Sequence, residues 1–322
     1  MVVLVICSVL LLAGLVLIVA WGGHELRAPA AQMPAAQMQA AQVPAAQVPT
    51  AVKVPAAEAP TAETPATEAP AATQTQTAPR RIRVGRALRR YAWWATVITV
   101  AWAASAILLA GAGGRIVMRV LALTSPDAAG RLTEAQALVG DITAGGTLAL
   151  LVFGALPGAF ISAVLYALIH SWLPRGRLGG AVFGVILLLL FATTLDPLRA
   201  GNIDFDIVGP GWLAVLLFSV LIILHGMLVA AIAGWYSSRL PLRPTRPRLA
   251  YLPLLAAVVY VPVGFLLAAG AVLVLMGASL LPGAGRWLRS RNVTWAGRAT
   301  LVLLAGVAIP GFVISVVSIV GR

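Results

Sequence analysis

Most of the charged residues that could bind a cation or act in catalysis lie in two segments between apolar runs, 114–145 and 196–211. Alternate carboxylates such as Asp204 and Asp206 would share one side of an extended segment, and carboxylate and amide oxygens are suitable ligands for a hard cation. The same charges can instead pair with one another and close the loops, as loop charges commonly do. We predict a polar cluster made of Arg115, Arg119, Asp141, Asp196, Arg199, Asn202, Asp204 and Asp206.

His225 is the ionisable residue that falls well inside an apolar run, about 14 residues into Trp212–Tyr236. An ionisable group at membrane depth is a functional hypothesis by default. The alternative is a neutral imidazole that shares a hydrogen bond between two helices. Gly226 beside it would let a neighbouring helix come close under either interpretation.

Catalytic and metal-binding motifs are missing from the sequence. It contains no GxxxxGK[ST] loop, no HExxH and no GxSxG, which argues against P-loop ATPases, zincin-type proteases and nucleophile-elbow hydrolases. His24, His170 and His225 are too scattered to be a metal set, and the single Cys7 excludes an intrachain disulfide. We predict no catalytic set, no metal and no cofactor.

The composition is that of a membrane protein. Of the 322 residues 60% are hydrophobic and 10% charged, whereas a soluble chain has about 45–50% and about 25%. Runs of about 18 or more apolar residues indicate membrane-spanning helices, so the fold class is an all-α polytopic transmembrane bundle. The seven runs are Val2–Trp21, Ala92–Gly113, Gly146–Ile169, Gly179–Leu195, Trp212–Tyr236, Tyr251–Leu281 and Thr300–Val320.

The chain divides into three parts. Residues 1–23 are an anchor helix or an uncleaved signal, residues 24–79 are rich in Ala, Pro, Gln and Thr, and residues 80–322 hold six apolar runs. The middle part has too few large apolar groups for a core, and its regular prolines predict a disordered, extended linker. A cleaved signal peptide and a translation start downstream of the linker are alternatives for the first part.

The net charge of +13 is better explained by topology than by nucleic-acid binding. With residues 80–90 on the inner side, the first three inner segments hold twelve arginines and no acidic residue, and the two outer segments hold four arginines. This positive-inside pattern predicts a multi-pass protein of the bacterial plasma membrane. The cluster beside the second apolar run is a candidate site for anionic lipid, formed by Arg80, Arg81, Arg83, Arg86, Arg89 and Arg90.

The arginines of 286–298 disagree with the positive-inside pattern. If 251–281 crosses once, the later arginines 286–298 fall on the outer side and the carboxyl terminus on the inner side. The run has 31 residues, longer than one crossing of about 20 and shorter than two. We favour a single long, tilted or kinked helix over a re-entrant segment.

Two pairs of glycines four residues apart, Gly154 with Gly158 and Gly180 with Gly184, predict faces where helices pack closely.

These observations favour a non-enzymatic integral membrane protein of transport or accessory type. No convincing repeat relates 92–196 to 212–320, which argues against a standard secondary transporter. One alternative is a membrane-embedded enzyme acting on a lipid-linked or periplasmic substrate through Asp196, Asp204 or Asp206 and the arginines. Another is a scaffold protein that uses the linker to position its anchor.

Overall fold

The computed structural model describes residues 1–26, 80–242, 244, 246–280 and 290–322, and of 80–83 and 278–280 only the backbone. Nearly all of the predicted linker 24–79 lies outside these residues. The described part is helical without a strand, which confirms the all-α fold class.

Four longer helices lie in the described residues of the amino-terminal half. They are α1 (Val2–Trp21), α2 (Arg80–Ser105, a π-helical segment Ala106–Gly111 and Ala112–Leu123), α3 (Ala144–Ala149, a π-helical segment Leu150–Ala155 and Leu156–Ile169) and α4 (Arg177–Phe191). The carboxyl-terminal half follows with α5 (Gly211–Arg239), the single turn α6 (Pro247–Ala250), α7 (Leu254–Val259), α8 (Val261–Leu280) and α9 (Arg291–Val320).

Five described segments are long and apolar enough to cross a membrane: Val2–Trp21, Val84–Leu123, Ala144–Trp172, Gly211–Arg239 and Arg291–Val320. The helices α4 and α8 are apolar but shorter in their apolar stretch. Large side chains point away from the bundle, with Phe153 82%, Leu273 68% and Val302 74% exposed. A helical protein whose outer surface is this apolar matches a hydrocarbon solvent rather than water.

Helices α4 and α5 pack with their backbones nearly in contact. A methyl group placed on Gly184 would lie 2.6 Å from the Cα of Ile223, and one on Gly180 would lie 3.0 Å from the Cα of Met227. The predicted Gly180–Gly184 face is therefore a close-packing face. The predicted Gly154–Gly158 face is not, since a methyl group on Gly158 would have no neighbour within 4 Å.

The arginine-rich segments meet at one end of the bundle, which we call the arginine end. The Nε1 atom of Trp93 donates a 2.8 Å hydrogen bond to the carbonyl of Leu240 after α5. Arg177 at the start of α4 donates to carbonyls at the end of α1. Arg298 near the start of α9 donates to the carbonyl of Trp172 at 3.2 Å.

The loops 124–143 and 192–210 meet at the opposite end and form what we call the polar cap. A compact apolar cluster fixes them there, with Leu121, Leu198 and Ala214 fully buried. The last residues of α9 also belong to this end, because Ile319 packs on Gly211 and Arg322 donates to Asp206.

The prediction that 251–281 forms one crossing helix is wrong for residues 251–280. The helix breaks at Tyr260, where φ is −90° and ψ is 85°, and the Tyr260 hydroxyl donates a 2.9 Å hydrogen bond to the carbonyl of Val152 in the π-helical segment of α3. In π-helical spacing that carbonyl would accept from the amide of residue 157, and Pro157 has no N–H to give. Tyr260 therefore satisfies a carbonyl that the helix itself leaves free.

From Tyr260 the chain turns back. Helix α8 returns to the arginine end, where the Tyr91 hydroxyl donates to the carbonyl of Leu267. Helix α9 consequently runs from the arginine end to the polar cap. The carboxyl terminus lies at the polar cap, opposite to the expected end, and Arg291 and Arg298 join the other arginines. The single-crossing prediction instead put these two arginines at the opposite end from the others.

Cysteine accessibility tests this arrangement. In a Cys7→Ala background, cysteines at Asn292 and Arg175 should label from the same side of the membrane, and a cysteine at Asp127 from the other. The measurement is reaction with an impermeant maleimide in intact and then permeabilised cells. A cysteine at Asn292 that labels together with Asp127 would restore the single-crossing arrangement.

The glycine contact predicts a difference between two similar substitutions. Gly184→Ala should destabilise the protein by roughly 1–3 kcal/mol, because the added methyl group overlaps the backbone of α5. Gly158→Ala, also inside a helix, meets open space and should leave stability unchanged or slightly raised. Melting temperatures of the two variants in detergent compare them directly, and equal losses would contradict the packing.

Candidate functional site

An ion pair joins the two loops of the polar cap. The Nη2 atom of Arg199 lies 2.7 Å from both carboxylate oxygens of Glu134. Both side chains are partly open to solvent, so the pair fixes the loops relative to one another more than it stabilises the fold. The sequence pointed to Arg199 but not to Glu134, which lies 65 residues earlier in a loop without a motif.

Asn202 and Asp204 continue the same network. The side-chain oxygen of Asn202 accepts from the amide of Asp204 at 2.9 Å, and a carboxylate oxygen of Asp204 accepts from the amide of Glu134 at 2.7 Å. The side-chain amide of Asn202 also approaches Asp196 at 3.4 Å. The structure thus brings Asp196, Arg199, Asn202 and Asp204 together as the sequence predicted.

Asp206 faces a different partner. Its carboxylate accepts a 3.1 Å hydrogen bond from Arg322, and Arg322 also donates to the carbonyls of Ala200 and Asn202. Arg322 was not among the predicted residues, because the carboxyl terminus was expected at the other end of the bundle. Asp204 and Asp206 share the four-residue 3₁₀ turn Ile203–Asp206 but bind different partners.

The remaining members of the predicted polar cluster lie apart from the network around Asn202. Arg119 donates to the carbonyl of Gly140 at 3.0 Å, and Arg115 lies beside Gly146 with its Nε atom buried and without a hydrogen bond. Asp141 is exposed. These three residues line the passage from α2 to α3 and do not join the carboxylates around Asn202.

Burial raises the pKa values of Asp196 and Asp204, with Arg199 opposing the shift at Asp196 and the Glu134 amide opposing it at Asp204. The hydrogen bond to Glu134 raises the pKa of Arg199. Within the described residues no group of three or more potential ligands is close enough to hold a metal ion. The cap charges are largely used in joining loops 124–143 and 192–210.

The second candidate is His225, at the middle of α5, fourteen residues from either end of Gly211–Arg239. It is 9% exposed, and its Nε2 atom lies 2.8 Å from the hydroxyl oxygen of Ser162 on α3. That hydroxyl also lies 2.9 Å from the carbonyl of Ala159, to which it can donate. If the Ser162 hydroxyl donates to the carbonyl of Ala159, the neutral imidazole donates its Nε2–H to the hydroxyl oxygen. Its Nδ1 atom then carries a free lone pair.

Nδ1 of His225 is buried and makes no hydrogen bond. The backbone carbonyl of Ser105 lies beside the ring, directly before the π-helical segment of α2. In a protonated imidazole both ring nitrogens donate, so Nε2 could keep its bond to Ser162. Nδ1 is therefore the atom at which the neutral imidazole would accept a proton.

The π-helical segment of α2 begins directly after Ser105 and packs against the π-helical segment of α3. Gly111 of α2 approaches Leu151 of α3 so closely that a methyl group on the glycine would lie 3.3 Å from the leucine side chain. Such segments widen the helix locally, leave backbone carbonyls incompletely satisfied and occur often at functional sites. His225 could be identified because it lies well inside an apolar run, whereas nothing in the sequence indicates either π-helical segment.

The arrangement defines a class of protein. Its apolar outer surface and five long apolar helices make the chain a multi-pass membrane protein. Comparison with protein families, curated proteins and solved structures finds no match to this chain.

The pKa shift at Asp196 predicts a pH-dependent variant. A carboxyl whose pKa is raised by folding binds more protons in the folded state, so its ionised form destabilises the fold above that pKa and the penalty disappears as pH falls. Asp196→Asn should therefore melt at a higher temperature than the wild type at pH 8, with the difference shrinking towards pH 4. Asp127→Asn, at an exposed position, should show no such trend, and a pH-independent effect at Asp196 would contradict the assignment.

Proposed function

We propose that this chain is a non-enzymatic membrane transport protein in which His225 accepts and releases protons at the middle of the bundle. One observation carries the proposal: a buried imidazole with one nitrogen bonded to Ser162 and the other without a partner. Ionisable groups inside membrane proteins mark ion pathways and proton relays. The bond to Ser162 alone would also suit a structural histidine that joins α3 and α5, so the proposal depends on the unbonded Nδ1 atom.

The membrane architecture in this proposal differs from six simple crossings. Helices α2, α3, α4, α5 and α9 cross, α7 and α8 form a re-entrant hairpin, and α1 is a further crossing beside α2 and α5. With the arginine end in the cytoplasm, the described arginines of 175–177, 239–248 and 291–298 all obey the positive-inside rule. The linker 24–79 would then be cytoplasmic and both termini would face outwards from the plasma membrane.

The polar cap supports this proposal over the enzyme alternative. Asp206 is paired with Arg322, and Asp204 accepts from the Glu134 amide. Carboxylates engaged in joining loops are poor candidates for a general acid and base, which need free access to a substrate. We therefore assign Asp204 and Asp206 a structural role.

Proton flux into proteoliposomes tests the function. Vesicles containing the full chain and a trapped pH-sensitive dye should acidify faster than empty vesicles when a potassium gradient and valinomycin set a negative interior. His225→Gln should slow the protein-dependent flux by about tenfold or more, since general acid–base groups typically contribute at least that much. Ser162→Ala, which keeps the imidazole, should slow it by a smaller factor.

His24→Gln serves as the matched control, because His24 is exposed at the end of α1 and bonds only locally to the carbonyl of Trp21. It should leave the flux unchanged. A flux equal to that of empty vesicles, or one that His225→Gln does not alter, would refute the proton-relay function.

A further inference from the structure

A small cationic cavity lies at the arginine end, outside both sites described above. It measures about 80 Å³ and is lined by Arg86, Arg89, Arg90 and Leu242. That volume holds several water molecules, which is also sufficient for the few heavy atoms of a phosphate group. Three arginines around one opening form the donor set that proteins use to bind phosphate.

The cavity is built by the fold rather than by chance side-chain positions. Arg86, Arg89 and Arg90 share one face of α2 with Trp93, at helical spacings of three, four and seven residues. Trp93 is fully buried and its hydrogen bond to the carbonyl of Leu240 holds the chain after α5 against that face. Leu242 is brought over the arginines by this contact.

The position favours a lipid as the source of the phosphate. The apolar run of α2 begins at Ala92, so these arginines lie shortly before the point where the helix enters the bilayer. Leu88 on the same helical turn is 45% exposed, and Tyr91 and Trp94 follow within one turn, as aromatic residues do at membrane interfaces. An acyl chain can lie along this apolar surface while its phosphate occupies the cavity.

We propose that Arg86, Arg89 and Arg90 with Leu242 form a binding site for the headgroup of an anionic phospholipid. Of the predicted lipid-binding cluster, Arg86, Arg89 and Arg90 line this cavity, and the side chains of Arg80, Arg81 and Arg83 lie outside the described part of the chain. The inference is independent of the role of His225.

Native mass spectrometry of the full chain, released from detergent with defined mixtures of phosphatidylglycerol and phosphatidylcholine, tests the site. We expect the wild type to retain phosphatidylglycerol preferentially. Each interfacial arginine contributes about 1 kcal/mol to such binding, or about fivefold, so Arg89→Gln with Arg90→Gln should weaken retention by about 20- to 30-fold. Arg89→Lys with Arg90→Lys keeps the charge and should lose much less.

The double substitution Arg246→Gln with Arg248→Gln is the control, because it removes two exposed arginines from the same end but outside the cavity. It should change retention by no more than about twofold. Equal losses in both glutamine variants, or no preference for phosphatidylglycerol in the wild type, would overturn the site. Displacement of the lipid by millimolar inorganic phosphate would show that the cavity binds free phosphate and overturn the lipid assignment.

Discussion

The hydrogen bond from Tyr260 to the carbonyl of Val152 fixes the path of the second half of the chain. A backbone carbonyl inside an apolar bundle needs a donor, and Pro157 denies this carbonyl its π-helical partner. Tyr260 supplies the donor from the tip of a hairpin, and Trp102 packs against its ring at 5.8 Å between centroids. Because the chain turns back there, α9 crosses towards the polar cap and brings Arg322 to Asp206.

Much of the fold could be predicted because the solvent dictates it. Apolar runs long enough to cross hydrocarbon must become helices. The helices α1, α3 and α5 follow the predicted runs closely, whereas α2 and α9 contain their predicted runs and continue beyond them. The turn at Tyr260 could not be predicted, since nothing local to 251–281 distinguishes a tilted helix from a hairpin. The decisive partner is a carbonyl 108 residues earlier. The arginines of 286–298 disagreed with the single-crossing prediction, and the described ones, Arg291 and Arg298, lie with the other arginines.

The candidate sites, like the fold, could be predicted only in part. His225 could be identified from its place in an apolar run, and its neighbour Gly226 indeed lies against Gly184. Its hydrogen bond to Ser162 and the nearby π-helical segments depend on how three helices pack, which sequence spacing does not determine. In the polar cap the residues around Asn202 were predicted, whereas Glu134 and Arg322 were missed because they reach the site from distant segments. The position of a residue along the chain was enough to make it a candidate, but its hydrogen-bond partners depend on tertiary packing.

The most direct test of the turn at Tyr260 is a double-mutant cycle between Tyr260→Phe and Pro157→Ala, read as the melting temperature of the full chain in detergent. Tyr260→Phe alone leaves the Val152 carbonyl without its donor and should cost about 1–3 kcal/mol, the typical penalty for an unsatisfied buried polar group. In the Pro157→Ala background the restored amide can satisfy the carbonyl, and the same substitution should then cost much less. An equal loss in both backgrounds, or no loss from Tyr260→Phe, would contradict the account.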